Sequence, residues 1–282
     1  MVSIRYFAPA APLRALLSSY YWFEAPGPVF SDLMRAELPQ IRIIVEGRAL
    51  NHFATGIVRA SGAAHLQGPT SGPVRFTASG RLLVFGIGVL PLGWATLVAA
   101  PADQLADDMV DLRGLAGAEV DALVDGLATA RCDAARVAAA DRFFLGWLAR
   151  SATAPCWFTG LADAWLTGAA APSVDALVAA SGMSARSVER LAQRVYGASP
   201  RLLARKYRAL GAAVRLGNGE AEGWAELIDD GLFYDQAHLI REFRQFIGMT
   251  PAQFLSGAAA VTRLTIARKR LMPDLPKLAL FS

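Results

Sequence analysis

Two cysteines and three histidines are all that the 282 residues offer as thiolate or imidazole metal ligands. Cys132 and Cys156 lie 24 residues apart with no CxxC spacing and no Cys/His cluster, so neither a zinc site nor a disulfide framework is readable, and a reducing compartment is compatible. His52, His65 and His238 are scattered and make no HxxxH pair. Charge is scarce too. Only 18% of residues are charged against 54% apolar, with a mean hydropathy of +0.33, which excludes intrinsic disorder and makes a membrane segment the first alternative. Residues Leu82 to Ala102 hold no charge and are long enough to span a bilayer. Gly86, Gly88, Pro91, Gly93 and Pro101 punctuate that run, Thr96 sits within it, and it reads instead as a buried strand pair around a Pro-Gly turn. The N-terminus has no basic start, apolar core and small-residue cleavage site, so the expected location is the cytoplasm.

Catalytic constellations are missing as well. Ser61 and Ser199 do not sit in Gly-x-Ser-x-Gly, and Gly86-x-Gly88 and Gly217-x-Gly219 lack the third glycine of a dinucleotide loop. Asp107, Asp108 and Asp111 read as a helix start or solvated acids rather than a cation site, and His52 and His65 as turn or core residues. No enzymatic activity and no cofactor are expected.

What is present is uneven. Residues 1–170 carry 13 arginines against 14 acids, net −1, whereas 171–282 carry 15 basic against 10 acidic residues, net +5. A basic half suggests a polyanionic partner. Much of that excess lies at the end, in Arg263, Arg268, Lys269, Arg270 and Lys277 against Asp274, so position along the chain must carry the argument.

The length suggests about two domains, and an α+β organisation is expected. Short β-branched runs bounded by Gly and Pro, such as Ile41 to Val45 and Val74 to Phe76, predict a β-rich domain over 1–112. Helical spacing (Val120, Leu123, Val124, Leu127; Phe143, Phe144, Trp147, Leu148) predicts a connecting region over 113–170. After the linker Gly168 to Pro172, Ser173 can cap the first helix of an all-α domain over 171–257, followed by a basic tail, 258–282. Trp22, Phe53, Phe76, Phe85 and Trp94 fit either a pocket in the first domain or, more simply, its core.

The all-α region repeats itself. Gly197-Ala198-Ser199-Pro200 superposes on Gly248-Met249-Thr250-Pro251 at a spacing of 51 residues, bringing Val188 onto Leu239, Arg190 onto Arg241 and Val195 onto Phe246. Two helix-turn-helix units joined by a long helix follow, the joining helix capped by Ser199 and ended at Gly217. At 100° per residue, Val188, Leu191, Ala192 and Val195 share one face, and Arg186, Glu189, Arg190 and Gln193 the opposite one. In the second unit Leu239, Ile240, Phe243, Phe246 and Ile247 make the apolar arc, leaving Ala237, His238, Arg241, Arg244 and Gln245 outward. One such face alone is ordinary solvated surface. Its repetition points to two helices that read DNA, arginine matching the O6 and N7 edge of guanine. Arg201, Arg205, Lys206 and Arg208 on the joining helix fit either surface or phosphate contacts.

Residues 173–257 resemble the AraC-type bacterial transcription regulators, through Gly182-Met183-Ser184-x-Arg186-Ser187-Val188-x-Arg190-Leu191 and Tyr234-Asp235-Gln236-Ala237-His238-Leu239-Ile240-Arg241-Glu242-Phe243. More loosely, Tyr20-Tyr21-Trp22, Leu38-Pro39 and Gly88 to Gly93 resemble the sensor-type domain of one branch of that family. The resemblance implies a sequence-specific regulator controlled through its N-terminal domain and acting at the nucleoid. Its DNA-binding residues would be Ser184, Arg186, Ser187, Glu189, Arg190, Arg194, Gln236, His238, Arg241 and Arg244. The partners implied are double-stranded DNA, a small-molecule effector, RNA polymerase if the protein activates, and a second copy of the chain. Four positions depart from the family: Ala192 replaces an aromatic, Leu232 replaces a turn glycine, with Gly231 one residue early, and Asp229 and Asp230 stand where small or apolar residues are usual. Two rivals follow: a ligand-binding or scaffold protein with a degenerate DNA-binding domain, and a methyl-accepting repair protein, for which Pro155-Cys156-Trp157 lacks the histidine that would activate the thiol.

Overall fold

The computed structural model describes residues 2–155, 157–257, 260–272 and 275–281; Cys156 and Asp274 lie outside them. Among the described residues, eight antiparallel strands make one sheet. Its backbone is β7 (Val74–Val89), paired along one side with β4 (Gln40–Phe53) and along the other with β3 (Val29–Met34) and then β2 (Leu17–Ala25). β1 (Ser3–Phe7) extends the sheet beyond β2, while β5 (Val58–Ala60) and β6 (Ala64–Gln67) pair with β4, and β8 (Met109–Asp111) with β6. The β4–β7 register shifts around Gly47, whose φ is +91°. A Cβ there would meet Arg81 O at 2.2 Å, so the bend needs glycine.

Period-two alternation divides this sheet between two interiors. Tyr20, Trp22, Ile41, Ile43, Phe85 and Ile87 turn toward α3 (Glu119–Thr129) and α4 (Asp133–Arg150), meeting Leu123, Leu127, Phe143 and Phe144 in the largest core. Tyr21, Phe23, Gln40, Arg42, Ile44 and Val84 turn the other way and line a cavity.

The expected strand pair over Leu82 to Ala102 is corrected. Leu82 to Val89 is one strand end, and the chain then enters the short helix α1 (Pro91–Gly93) and a wide helical turn over Trp94–Val98. Gly86 and Gly88 are close-approach sites: a Cβ would lie 1.9 Å from the Tyr21 ring and 2.2 Å from Ser18 Oγ. The acids Asp107, Asp108 and Asp111 do not start a helix either. Asp107 is buried at φ +55° and accepts from Ser71 N–H and Oγ, Asp108 pairs with Arg59, and Asp111 in β8 accepts from Arg113 N–H ahead of α2 (Arg113–Ala116). Trp22, Phe85 and Trp94 belong to the main core and Phe53 to a small cluster with Val74; of the five aromatics only Phe76 lines the cavity.

The helical half begins with α5 (Trp157–Gly168) and α6 (Val174–Ser181), the latter capped by Ser173 Oγ, which accepts from Ala176 N–H. The first helix-turn-helix unit is α6 with α7 (Ala185–Tyr196); the second is α9 (Trp224–Asp229) with α10 (Gln236–Phe246). Between them runs α8 (Pro200–Asn218), 19 residues or about 28 Å long at 1.5 Å per residue. It passes Gly217 and ends at Gly219, which takes the left-handed cap at φ +69°. The remaining helices are α11 (Pro251–Gly257), α12 (Ala260–Ile266) and α13 (Arg268–Leu271). Among the described residues no helix is long and apolar enough to cross a membrane.

The two halves interlock at the loop between β3 and β4. Ala36 enters the core of the second unit beside Phe246 and donates its N–H to Phe246 O at 2.7 Å, while Leu38 enters the core of the first beside Tyr207.

Candidate functional site

Both outward helix faces are built by the same local devices. Ser184 Oγ accepts from Ser187 N–H at 3.2 Å and caps α7; Asp235 Oδ1 accepts from His238 N–H at 2.6 Å and caps α10. Val188, Ala192 and Tyr196 anchor α7, and Leu239, Phe243 and Phe246 anchor α10, all buried. This leaves Arg186, Arg190, Arg194, Gln236, Arg241 and Arg244 exposed, with Ser187, Glu189 and His238 half-buried beside them. The five arginines of these faces enter no hydrogen bond or ion pair among the described residues. Glu189 accepts from Gln193 Nε2 at 3.3 Å. His238 Nδ1 accepts from Tyr234 N–H at 3.2 Å, so a neutral imidazole carries its proton on Nε2 and presents a donor. Tyr234, 90% exposed at the turn before α10, belongs to the motif that carried the resemblance but was not among the expected DNA-binding residues, although its place beside the cap residue was the available signal.

The turn of the second unit is intact despite Leu232. Gly231 takes φ +73°, its N–H donates to Ile228 O and that of Leu232 to Leu227 O, while the Leu232 side chain is buried with Leu227. The left-handed residue has moved one place earlier, and the leucine joins the core.

The basic residues of α8 have other employment. Arg205 holds the buried Glu242 carboxylate of α10 at 2.7 Å, Arg208 approaches it at 3.7 Å, and Lys206 is buried, donating to Glu37 O and Thr70 O. Arg201 alone of the four is exposed. These three cations join elements within the protein, which corrects the reading of them as free surface or phosphate contacts.

A second candidate site is the cavity on the far side of the sheet, about 70 Å³, with Phe23, Phe76, Leu82 and Val84 at its apolar end. At its polar end Arg42 donates to Glu37 Oε1, to Gln67 Oε1 at 2.7 Å and to Tyr21 Oη at 3.0 Å. Arg35 and Arg268 also line it, with Tyr6 and Gln40. Burial and the like charge of Arg268 push the Arg35 guanidinium down to about 10. Burial works against the charge of Arg42 too, but Tyr21 and Glu37 outweigh it. Tyr6 Oη and Gln40 Oε1 have no hydrogen-bond partner among the described residues, which is costly for buried polar atoms. Sequence reasoning missed this cluster. Arg42 inside Ile41 to Ile44 was the only local signal, since Arg35 and Arg268 meet only in the fold.

Residues 177–257 match the family model described as a helix-turn-helix domain. The chain carries an AraC-type DNA-binding domain and is a DNA-binding transcription regulator. No curated protein matches it in sequence. In shape it resembles ToxT from Vibrio cholerae with an unsaturated fatty acid bound, at TM-score 0.49 and 10% identity, covering 84% of this chain and 95% of that one. The AraC-like transcriptional activator CuxR gives 0.31 at 12% identity, covering 76% and 87%. A cupin superfamily protein from Desulfitobacterium hafniense gives 0.21 at 14% identity, covering 32% and 77%. Likenesses at this distance transfer no ligand and no residue role.

Proposed function

We propose that this regulator reads a specific operator with α7 and α10 in successive major grooves, under control of a small molecule held in the cavity of the N-terminal domain. The observation that supports the first part is the set of exposed, unengaged arginines on two helix faces related by the 51-residue repeat. Arg186, Glu189 and Arg190, then Gln236, His238 and Arg241, read base edges; Arg194 and Arg244, with the helix N-termini at Ser184, Ser187 and Asp235, meet phosphates. Control is supported by the loop Arg35 to Leu38. Arg35 and Glu37 turn into the cavity while Ala36 and Leu38 enter the cores of the two units. The effector matching the walls has an apolar body and an anionic group. RNA polymerase and a second copy of the chain are the remaining partners of this reading, and the nucleoid its place of action.

The test is an electrophoretic mobility shift of the full chain on genomic fragments, followed by Arg190→Ala. A specific complex is expected, and the substitution should cost about 1–3 kcal/mol and relax preference at one base pair. A uniform loss over all sequences would make Arg190 a phosphate contact. Absence of any specific complex at low salt would favour the scaffold alternative.

A further inference from the structure

Beyond Gly257, where the helix-turn-helix match ends, the chain turns back across the molecule. α12 lies against β3: Val261 N–H donates to Asp32 Oδ2 at 2.9 Å, Thr262 Oγ1 to Leu33 O at 3.1 Å, and Arg35 Nη1 to Thr265 Oγ1. Val261 is buried with Phe23, Phe76 and Val84 at the apolar end of the cavity. At the polar end Arg268, buried, places its guanidinium 5.6 Å from the centre of the Tyr6 ring and donates to Ser19 Oγ at 3.4 Å. The segment therefore supplies one wall of the cavity. Ile266, between these residues, belongs to the core of the second unit, and a Cβ at Gly217 of α8 would meet its Cγ2 at 2.8 Å.

Space then matters. Cavities for drug-sized ligands measure about 300–1,000 Å³, and the space here is about 70 Å³, room for a few waters. Entry of anything larger requires a wall to yield. The strand walls are laddered along β4 and β7, and shifting them would break backbone pairs along their length. The C-terminal wall is held by three hydrogen bonds to β3 and its loop, by that of Arg268 to Ser19, and by the packing of Val261 and Ile266. It is the wall that gives at least cost.

We propose that residues 260–271 are the ligand-recognising wall of the cavity: Arg268 meets the anionic group of a ligand whose apolar body lies against Phe76, Val84 and Val261, and ligand entry displaces α12 and, through Ile266, the second helix-turn-helix unit. The proposal rests on the reading of the cavity as the effector site. It makes the basic tail a sensor element rather than an additional DNA contact. The crowding of Arg35 and Arg268, each of which has its charge disfavoured by burial, gives an incoming anion a further reason to settle there.

Decanoate and decan-1-ol, equal in chain length and different in charge, are suitable probes for calorimetric titration of the full chain. Wild type should bind decanoate at least tenfold tighter than decanol. Arg268→Met should lose that preference while holding decanol within twofold, and Val84→Phe, which fills the apolar end, should weaken both. Decanoate should also raise hydrogen exchange in 260–271 and in α10 while leaving α7 unchanged. Equal decanoate binding by wild type and Arg268→Met, with Val84→Phe impaired, would overturn the role of the tail and leave the cavity reading standing. No decanoate binding by wild type, or binding indifferent to Val84→Phe, would overturn both. If Arg268→Met does not fold by circular dichroism, Arg268→Lys is titrated instead; it should lose part of the charge preference, and an unchanged preference would overturn the proposal.

Discussion

Lys206 Nζ donates to the carbonyl oxygen of Glu37 at 2.8 Å, across 169 residues of sequence, and to that of Thr70 at the same distance. One cation on the helix joining the two helix-turn-helix units thus closes two backbone acceptors of the N-terminal half. Burial pulls its pKa down to about 8, with Asp107 and Glu37 opposing, so the ammonium remains charged at neutral pH. Lys206→Met keeps the stem and removes the donors, leaving both carbonyls buried without them. The expected cost is about 3 kcal/mol, with urea unfolding of the variant passing through two transitions as the halves uncouple. An unchanged midpoint by tryptophan fluorescence would show that the latch contributes nothing.

Salt dependence separates the arginines proposed to touch DNA from those that hold the protein together. Each phosphate neutralised adds about 0.9 to the slope of log K against log salt. Arg194→Met and Arg244→Met should each reduce the slope by about that amount. Arg205→Met should leave it unchanged and instead lower the unfolding midpoint, because the buried Glu242 carboxylate loses its closest cation. Fluorescence anisotropy over a salt series reads both. A reduced slope for Arg205→Met would return that residue to the DNA interface.

The legible and illegible parts of this protein divide by distance along the chain. Arg190 and Arg241 were placed outward from a 51-residue repeat and helical angles, because both signals are local. Ser173 and Ser199 cap the helices that their sequence positions suggested. Gly86 and Gly88 read as punctuation of an apolar run, but what demands glycine there is a tyrosine ring and a serine hydroxyl of β2. Arg205 finds Glu242 37 residues away, and Arg268 finds Ser19 249 residues away. No periodicity announces such partners.

The displaced turn glycine makes a test of its own. Gly231→Ala places a Cβ on a left-handed residue and should cost about 1 kcal/mol. Leu232→Gly, which restores the family's usual residue at that position, should do worse, at about 3 kcal/mol, since it removes a buried side chain from the second core. Thermal unfolding ranks the two. The opposite order would mean that the turn, not the core, governs this unit.

Asp163 of α5 links the first unit to pH. Its carboxylate accepts from Tyr196 Oη, at the end of α7, at 2.6 Å. Burial pushes its pKa from 3.8 up to about 6, and the tyrosine hydrogen bond pulls the other way without prevailing. The folded state therefore holds this proton more tightly than the unfolded one. That contribution to stability is complete below about pH 4 and is lost as pH rises through about 6. Asp163→Asn has no proton to lose and keeps an acceptor for Tyr196, so its advantage over wild type should grow between pH 4 and pH 7, toward about 3 kcal/mol for a shift of two units. Urea unfolding of both proteins across that range measures the difference directly. Parallel curves would place Asp163 in an ordinary solvated environment and remove any proton linkage from the anchoring of α7.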